Sequence, residues 1–259
     1  MRILFLVIGL MLVAVQAQAQ RAPDTSGIGY RPQLGRNLPL DAAFTDQAGR
    51  RTALADVVVG RPTILALGYY ACPALCGVIR DDLLTALGRS GLSTPADYQV
   101  VFVSIDPHET VSDAHRAWAD DRARYPTVGS ADGWHFLSGT SESVAAVERA
   151  VGYYSRYDVG LKQFIHPAGI VVLTPRGAVS GYVLGIGYQP GDLRAAIIRA
   201  SSGGVEQTVQ PVLLLCFHFD PTTGRYTFAI MKVLRLTGLL TVLTLIGVML
   251  ILRRREGRA

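Results

Sequence analysis

Two cysteines, Cys72 and Cys76, enclose Pro73-Ala74-Leu75 directly after Tyr69-Tyr70-Ala71. The run Thr63 to Leu67 ahead of them reads as a buried strand. The apolar-periodic segment Val78 to Leu87 behind them predicts a helix, so both thiols belong to a strand-to-helix turn. Pro73 suits the first helical turn, where its missing N–H costs nothing, and the four-residue spacing brings both sulfurs within reach of one point. The helix dipole there favours thiolate, the form that binds soft metals or attacks a disulfide. A free cysteine is elsewhere often just a small buried hydrophobe. Two of them at one helix start, in a compartment that would oxidise an idle pair, argue for metal or redox chemistry.

The elements around this turn follow an α/β order. Phe44 to Thr52 predicts a short N-terminal hairpin about an Ala-Gly turn, followed by the strand and helix that flank the cysteines. Tyr98 to Ile105 is rich in β-branched and aromatic residues and predicts a second buried strand, which runs into Asp106-Pro107-His108-Glu109-Thr110. Thr110 with Asp113 three residues on forms a capping box for a helix to about Arg124. A strand at Trp134 to Leu137 and a helix from Glu142 to Tyr153 come next. Strands Ala168 to Thr174 and Ala178 to Leu184 are joined by the turn Pro175-Arg176-Gly177, and Asp192 to Ala200 predicts a last helix. Early crossovers make part of the sheet parallel, and the last two strands pair antiparallel. Cysteines at the start of the first helix of such a unit predict a thioredoxin-like fold, over residues 40–204.

Thioredoxin-type exchange uses two residues between the cysteines; the three here weaken that match and leave room for an ion. Of the five histidines, His166 in Phe164-Ile165-His166-Pro167 is the best placed third ligand, because the loop before the Ala168 strand lies opposite the cysteine loop in such a sheet. A lone histidine is also often a satisfied core or surface residue, and His108, His115 and His135 are read as surface or capping residues. Two thiolates and an imidazole form a borderline-soft set that suits copper, as Cu(I) or Cu(II), and leaves a position open for passing the ion on. A structural zinc site would be closed by four ligands.

At these residues the sequence resembles the Sco/SenC family, the membrane-anchored copper chaperones of cytochrome c oxidase assembly. The C-P-x-x-C run at Cys72, Pro73 and Cys76 behind Tyr69 and Tyr70, the S-x-D-P run at Ser104, Asp106 and Pro107, and His166 ahead of the terminal strand pair carry the resemblance, over roughly Leu40 to Ser201. It implies a thioredoxin-like fold and copper held by Cys72, Cys76 and His166. It also implies an upstream copper donor and delivery to the binuclear copper centre of oxidase subunit II. By the same resemblance Asp106 lies near the metal; capping the next helix or turning at Pro107 is the competing role. Metal-free, Cys72 and Cys76 are expected as a disulfide. The family usually carries Asp where Glu109 stands, and a hydroxyl residue where Pro167 stands. A proline there suggests a cis His166–Pro167 bond that aims the imidazole.

The chain ends set the compartment. Arg2, the apolar run Ile3 to Val15 and Ala17-Gln18-Ala19 predict a cleaved export signal over residues 1–19, with an uncleaved anchor as the alternative. Residues 20–39 are expected as an extended spacer. Residues 233–252 form an apolar run of bilayer length, interrupted only by Arg235, and predict a carboxy-terminal transmembrane helix. Arg253, Arg254, Arg255 and Arg258 behind it place the tail, 253–259, in the cytoplasm and the domain on the periplasmic side. The net charge of +5 is concentrated in these ends. Removing their seven basic residues and Glu256 leaves 18 basic and 19 acidic residues over 20–231, a net of minus one, which excludes a nucleic-acid footprint.

In the connecting segment 205–232, alternation over Leu213 to Asp220 predicts a strand with Cys216 and His218 on one face. The pair is either an auxiliary copper site or, the favoured reading, part of a strand packed on the domain or at the membrane with Cys216 unpaired. Two functions remain: a copper chaperone, which is not an enzyme, and a thiol:disulfide oxidoreductase in which one of Cys72 and Cys76 attacks and the other resolves.

Overall fold

The computed structural model describes residues 25–71, 76–209, 237–245 and 247, the Cys76 side chain excepted. The chain divides into two compact units, Gly27–Thr227 and a second made of Met1–Ser26 with Phe228–Ala259.

The first unit contains strands β1 (Gly29–Tyr30), β2 (Ala43–Thr45), β3 (Arg51–Ala53), β4 (Thr63–Gly68), β5 (Gln99–Ser104), β6 (Trp134–Gly139), β7 (Tyr153–Tyr154), β8 (Arg156–Asp158), β9 (Gln163–Ile165), β10 (Gly169–Leu173) and β11 (Val179–Leu184). Its helices are α1 (Leu54–Val58), α2 (Cys76–Gly88), α3 (Val111–Arg124), α4 (Ser141–Val151) and α5 (Pro190–Ser201). Seven strands form one sheet in the order β11-β10-β4-β5-β6-β2-β3. β4, β5 and β6 run parallel, while β10 is antiparallel to β4 and β11 is antiparallel to β10. The N-terminal hairpin is an extension of this sheet, because β2 pairs with β6.

The central strands are apolar throughout because both faces are covered. Ile64, Ala66, Val100 and Phe102 share one core with Leu83 and Leu87 of α2, Ala114 of α3 and Ile197 of α5. Leu65, Leu67, Val101 and Val103 share the other with Leu54 of α1 and Val144 and Val147 of α4. Complete burial of each such Leu or Ile contributes about 1.5–3 kcal/mol. The predicted capping box is present at the start of α3, where Thr110 Oγ1 accepts from Asp113 N and Asp113 Oδ2 accepts from Thr110 N.

Two expectations are corrected in the first unit. From Gly29 on, the lead-in is tied to the domain: β1 pairs with β7, Leu38 is buried, and Leu38 N donates to Gly177 O at 2.9 Å. The fourth helix ends at Val151, short of Tyr153, because Gly152 adopts the left-handed conformation (φ 62°) that terminates it. A Cβ at Gly152 would lie 1.9 Å from Arg31 O, so the close approach of β1 also requires glycine there.

In the second unit residues 237–245 are helical, with Thr241 Oγ1 and Thr244 Oγ1 donating to the carbonyls of Thr237 and Leu240. Among the described residues no helix is long and apolar enough to cross a membrane. The export signal and the remainder of the expected 233–252 span lie outside the described residues.

Candidate metal centre

β4 delivers the chain to the cysteine turn at its carboxyl end, beside the carboxyl end of β5. Gly68 pairs with Ser104, and Ile105 N donates to Gly68 O at 2.8 Å. Beyond this point the sheet no longer supplies partners, and a side chain takes over. The Glu109 carboxylate accepts from Tyr70 N at 2.8 Å and from Ala71 N at 2.5 Å, and Ser104 Oγ donates to it at 2.5 Å. Burial raises the Glu109 pKa, opposed by these three hydrogen bonds and assisted by the nearby Asp106 charge.

Tyr69 and Tyr70 point into opposite cores and lock the approach. Tyr69 is buried with the α1 and α4 core, whereas Tyr70 packs against the other. The Tyr70 phenol lies 2.9 Å from Leu137 O and 3.1 Å from Phe102 O, so it can donate to either. Burial, and then the Glu109 charge, hold its pKa well above the usual tyrosine value. Cys72 to Leu75 lie outside the described residues, as does the Cys76 side chain; the Cys76 backbone is the first residue of α2. One turn further, Arg80 Nε donates to the fully buried Asp121 Oδ2 at 2.8 Å, which ties the start of α2 to α3.

His166 approaches from the far side of β4. β10 pairs with β4 as far as Ile170 and Ala66, so His166 lies four residues beyond the end of that ladder, where its ring meets Tyr69, three residues ahead of Cys72. The imidazole is 1% exposed and lines a cleft with Gly68, Tyr69, Tyr70, Ile79 and Arg80. Tyr69 meets it edge-on and Tyr153 stacks on it, with centroids 5.9 Å and 6.3 Å away. His166 Nδ1 lies 3.1 Å from Pro167 O. A carbonyl only accepts, so this contact selects the tautomer with its proton on Nδ1 and its lone pair on Nε2, as in a ring that ligates a metal through Nε2.

The His166–Pro167 bond is not cis; the cis bond among the described residues is Thr94–Pro95. The ring is aimed by Tyr69, Tyr153 and the Pro167 carbonyl instead. Asp106 is engaged in its own turn, where Oδ1 accepts from His108 N at 2.9 Å and contacts His108 Nδ1 at 2.9 Å. Cys216 and His218 lie outside the described residues, and among the described residues no three metal-ligating side chains assemble. His108 is on the surface, His115 lies beside Trp118, and His135 faces Gln99.

In the sequence, Glu109 stands out only as a departure from the pattern that the chain resembles. Its usable signal was position: a carboxylate just past the carboxyl end of a parallel strand, where open α/β sheets gather their ligands.

The SCO1/SenC family model matches residues 37–200. Among solved structures, a candidate electron transfer protein from Aquifex aeolicus VF5 is similar at 27% identity and TM-score 0.58, covering 68% of this chain and 98% of that one. A SCO1/SenC family lipoprotein from Bacillus anthracis str. Ames has the same fold at TM-score 0.54 and 18% identity, with coverage of 67% and 99%. ScoI of Arabidopsis thaliana, solved with copper bound, has it at TM-score 0.52 and 19% identity, with coverage of 66% and 99%. No curated protein matches the sequence. The mixed α/β sheet agrees with the thioredoxin-like fold expected of Sco proteins. Since the family model spans well over half of the residues, including both cysteines and the histidine ahead of β10, the chain belongs to the SCO1/SenC family.

Proposed function

We propose that this protein is an exported, membrane-anchored copper chaperone that delivers copper to the binuclear centre of cytochrome c oxidase subunit II. Sco family members are copper-binding cytochrome c oxidase assembly proteins, and Arabidopsis ScoI was solved with the metal. The observation that carries the reading to this chain is His166, a buried imidazole with Nδ1 3.1 Å from Pro167 O, in ring contact with Tyr69, three residues ahead of Cys72. Cys72, Cys76 and His166 are the proposed ligands, with Asp106 on the adjoining loop acting on uptake from outside the ligand set. Two thiolates retain Cu(I), the imidazole also accommodates Cu(II), and the three-ligand set leaves a position for an acceptor's ligand. The domain would face the periplasm. The apolar run 233–252 supports the anchor.

Loading the reduced full-length protein in detergent with one equivalent of copper tests this. Thiolate-to-Cu(II) charge-transfer absorption is expected, together with tight Cu(I) binding. Absence of the absorption along with weak Cu(I) binding would reject the chaperone.

The second reading is a thiol:disulfide oxidoreductase that reduces the cysteines of the same target. It is favoured by Cys76 opening α2, where the helix dipole stabilises an attacking or leaving thiolate, and by the Aquifex aeolicus relative's description as an electron transfer protein.

A further inference from the structure

The N–H groups of Tyr70 and Ala71 emerge where β4 has left the ladder, since its pairing with β5 ends at Gly68 and its pairing with β10 ends at Ala66. One carboxylate receives both. Glu109 Oε2 takes Tyr70 N and Oε1 takes Ala71 N, while Ser104 Oγ, anchored at the end of β5, donates to Oε2 and orients the group. Two successive amides held by one anion fix the dihedral angles between them, and charge-assisted bonds of 2.5–2.8 Å are the strong kind. Ala71 is exposed, so without Glu109 these amides would turn to water and the chain ahead of Cys72 would lose its fixed direction. Nothing else described on the loop plays this part, because Asp106 is engaged by His108.

We infer that Glu109 is a positioning residue for the copper centre: by clamping Tyr70 and Ala71 it fixes the segment that enters the cysteine turn beside the cleft that Tyr70 and His166 line. The inference rests on the copper reading above. It assigns Glu109 no bond to the metal. A site whose competent geometry is populated only part of the time binds more weakly by that fraction, so losing the clamp lowers affinity without removing a ligand.

The test is Glu109→Gln in the full-length protein. Glutamine keeps the length but sets an NH2 group against one of the two amides. Loss of an orienting partner of this kind typically costs roughly 10–100-fold in metal affinity. Three measurements are compared with the parent: Cu(I) affinity by competition with a chromophoric chelator, thermal midpoint, and hydrogen exchange at the Tyr70 and Ala71 amides. The expected result is an affinity loss of that size, faster exchange at those two amides, and a thermal midpoint close to the parent's. Glu109→Asp, which keeps the charge, recovers part of the affinity. Unchanged affinity overturns the inference, and so does a loss that merely tracks a large fall in thermal midpoint. Should the parent itself fail to bind copper, the chaperone reading falls, while the amide exchange still reports whether Glu109 orders the loop.

Discussion

His166 meets the edge of Tyr69 at a centroid separation of 5.9 Å and an interplanar angle of 75°. This contact joins a ring delivered by β9 and the turn into β10 to the residue three places ahead of Cys72. Tyr153 stacks on the imidazole, and its own hydroxyl donates to Leu67 O at 3.3 Å, so the ring that stacks on the histidine is fastened to the strand that leads to the cysteine turn. The imidazole is thereby held by parts of the fold that are far apart in sequence.

Replacing His166 separates the two functional readings. His166→Ala removes one of three proposed ligands and leaves both thiols, so copper affinity falls while thiol–disulfide exchange with a small disulfide persists. Parallel copper competition and exchange assays check this. Unchanged copper affinity would remove His166 from the ligand set and put the oxidoreductase first.

The turn that brings Tyr153 against His166 depends on Gly152. An alanine there takes a left-handed conformation and drives its Cβ into Arg31 O. Gly152→Ala is expected to destabilise the protein by about 1–3 kcal/mol or more. Gly187 also has positive φ (82°) but opens on empty space, so Gly187→Ala should carry only the backbone strain, about 1–2 kcal/mol, and cost less than Gly152→Ala. Denaturant midpoints of the two variants measure the difference.

Asp121 is fully buried between Arg80 of α2 and Arg124 of α3. Asp121→Ala strands the largely buried Arg80 guanidinium, and breaking such a pair costs about 3–5 kcal/mol. Because Arg80 follows Cys76 by one helical turn, faster hydrogen exchange should be greatest in the first turns of α2. Exchange read by mass spectrometry would reveal it.

Burial holds the His135 imidazole below the usual value of 6.5. The unfolded chain therefore takes up this proton first as pH falls. His135 adds stability that is fully present above about pH 6.5 and is lost as pH drops through the depressed folded value. Urea midpoints at pH 8 and pH 5 should differ less for His135→Gln than for the parent; an equal difference would contradict the assignment.

The central sheet was legible because β4 and β5 are apolar on both faces, and Thr110 with Asp113 announced α3. The partners of short or polar strands were not. Gly29–Tyr30 finds Tyr153–Tyr154 across most of the domain, a pairing with no local signature, and so the lead-in reads as a spacer. The β8–β9 hairpin has strands of only three residues and is largely exposed, with Val159 79% exposed at its tip, which hides its strand character. At the site, Cys72, Cys76 and His166 stood out by residue type and spacing. Glu109 did not, because its role lies in two backbone amides about forty residues away that no side-chain pattern encodes.

X-ray absorption at the copper edge of the loaded full-length protein probes the proposed ligand set most directly. The account predicts sulfur scatterers together with an imidazole nitrogen in the first shell of the Cu(II) form, the imidazole signature disappearing in His166→Ala. A shell without imidazole, or one that the substitution leaves unchanged, would contradict it.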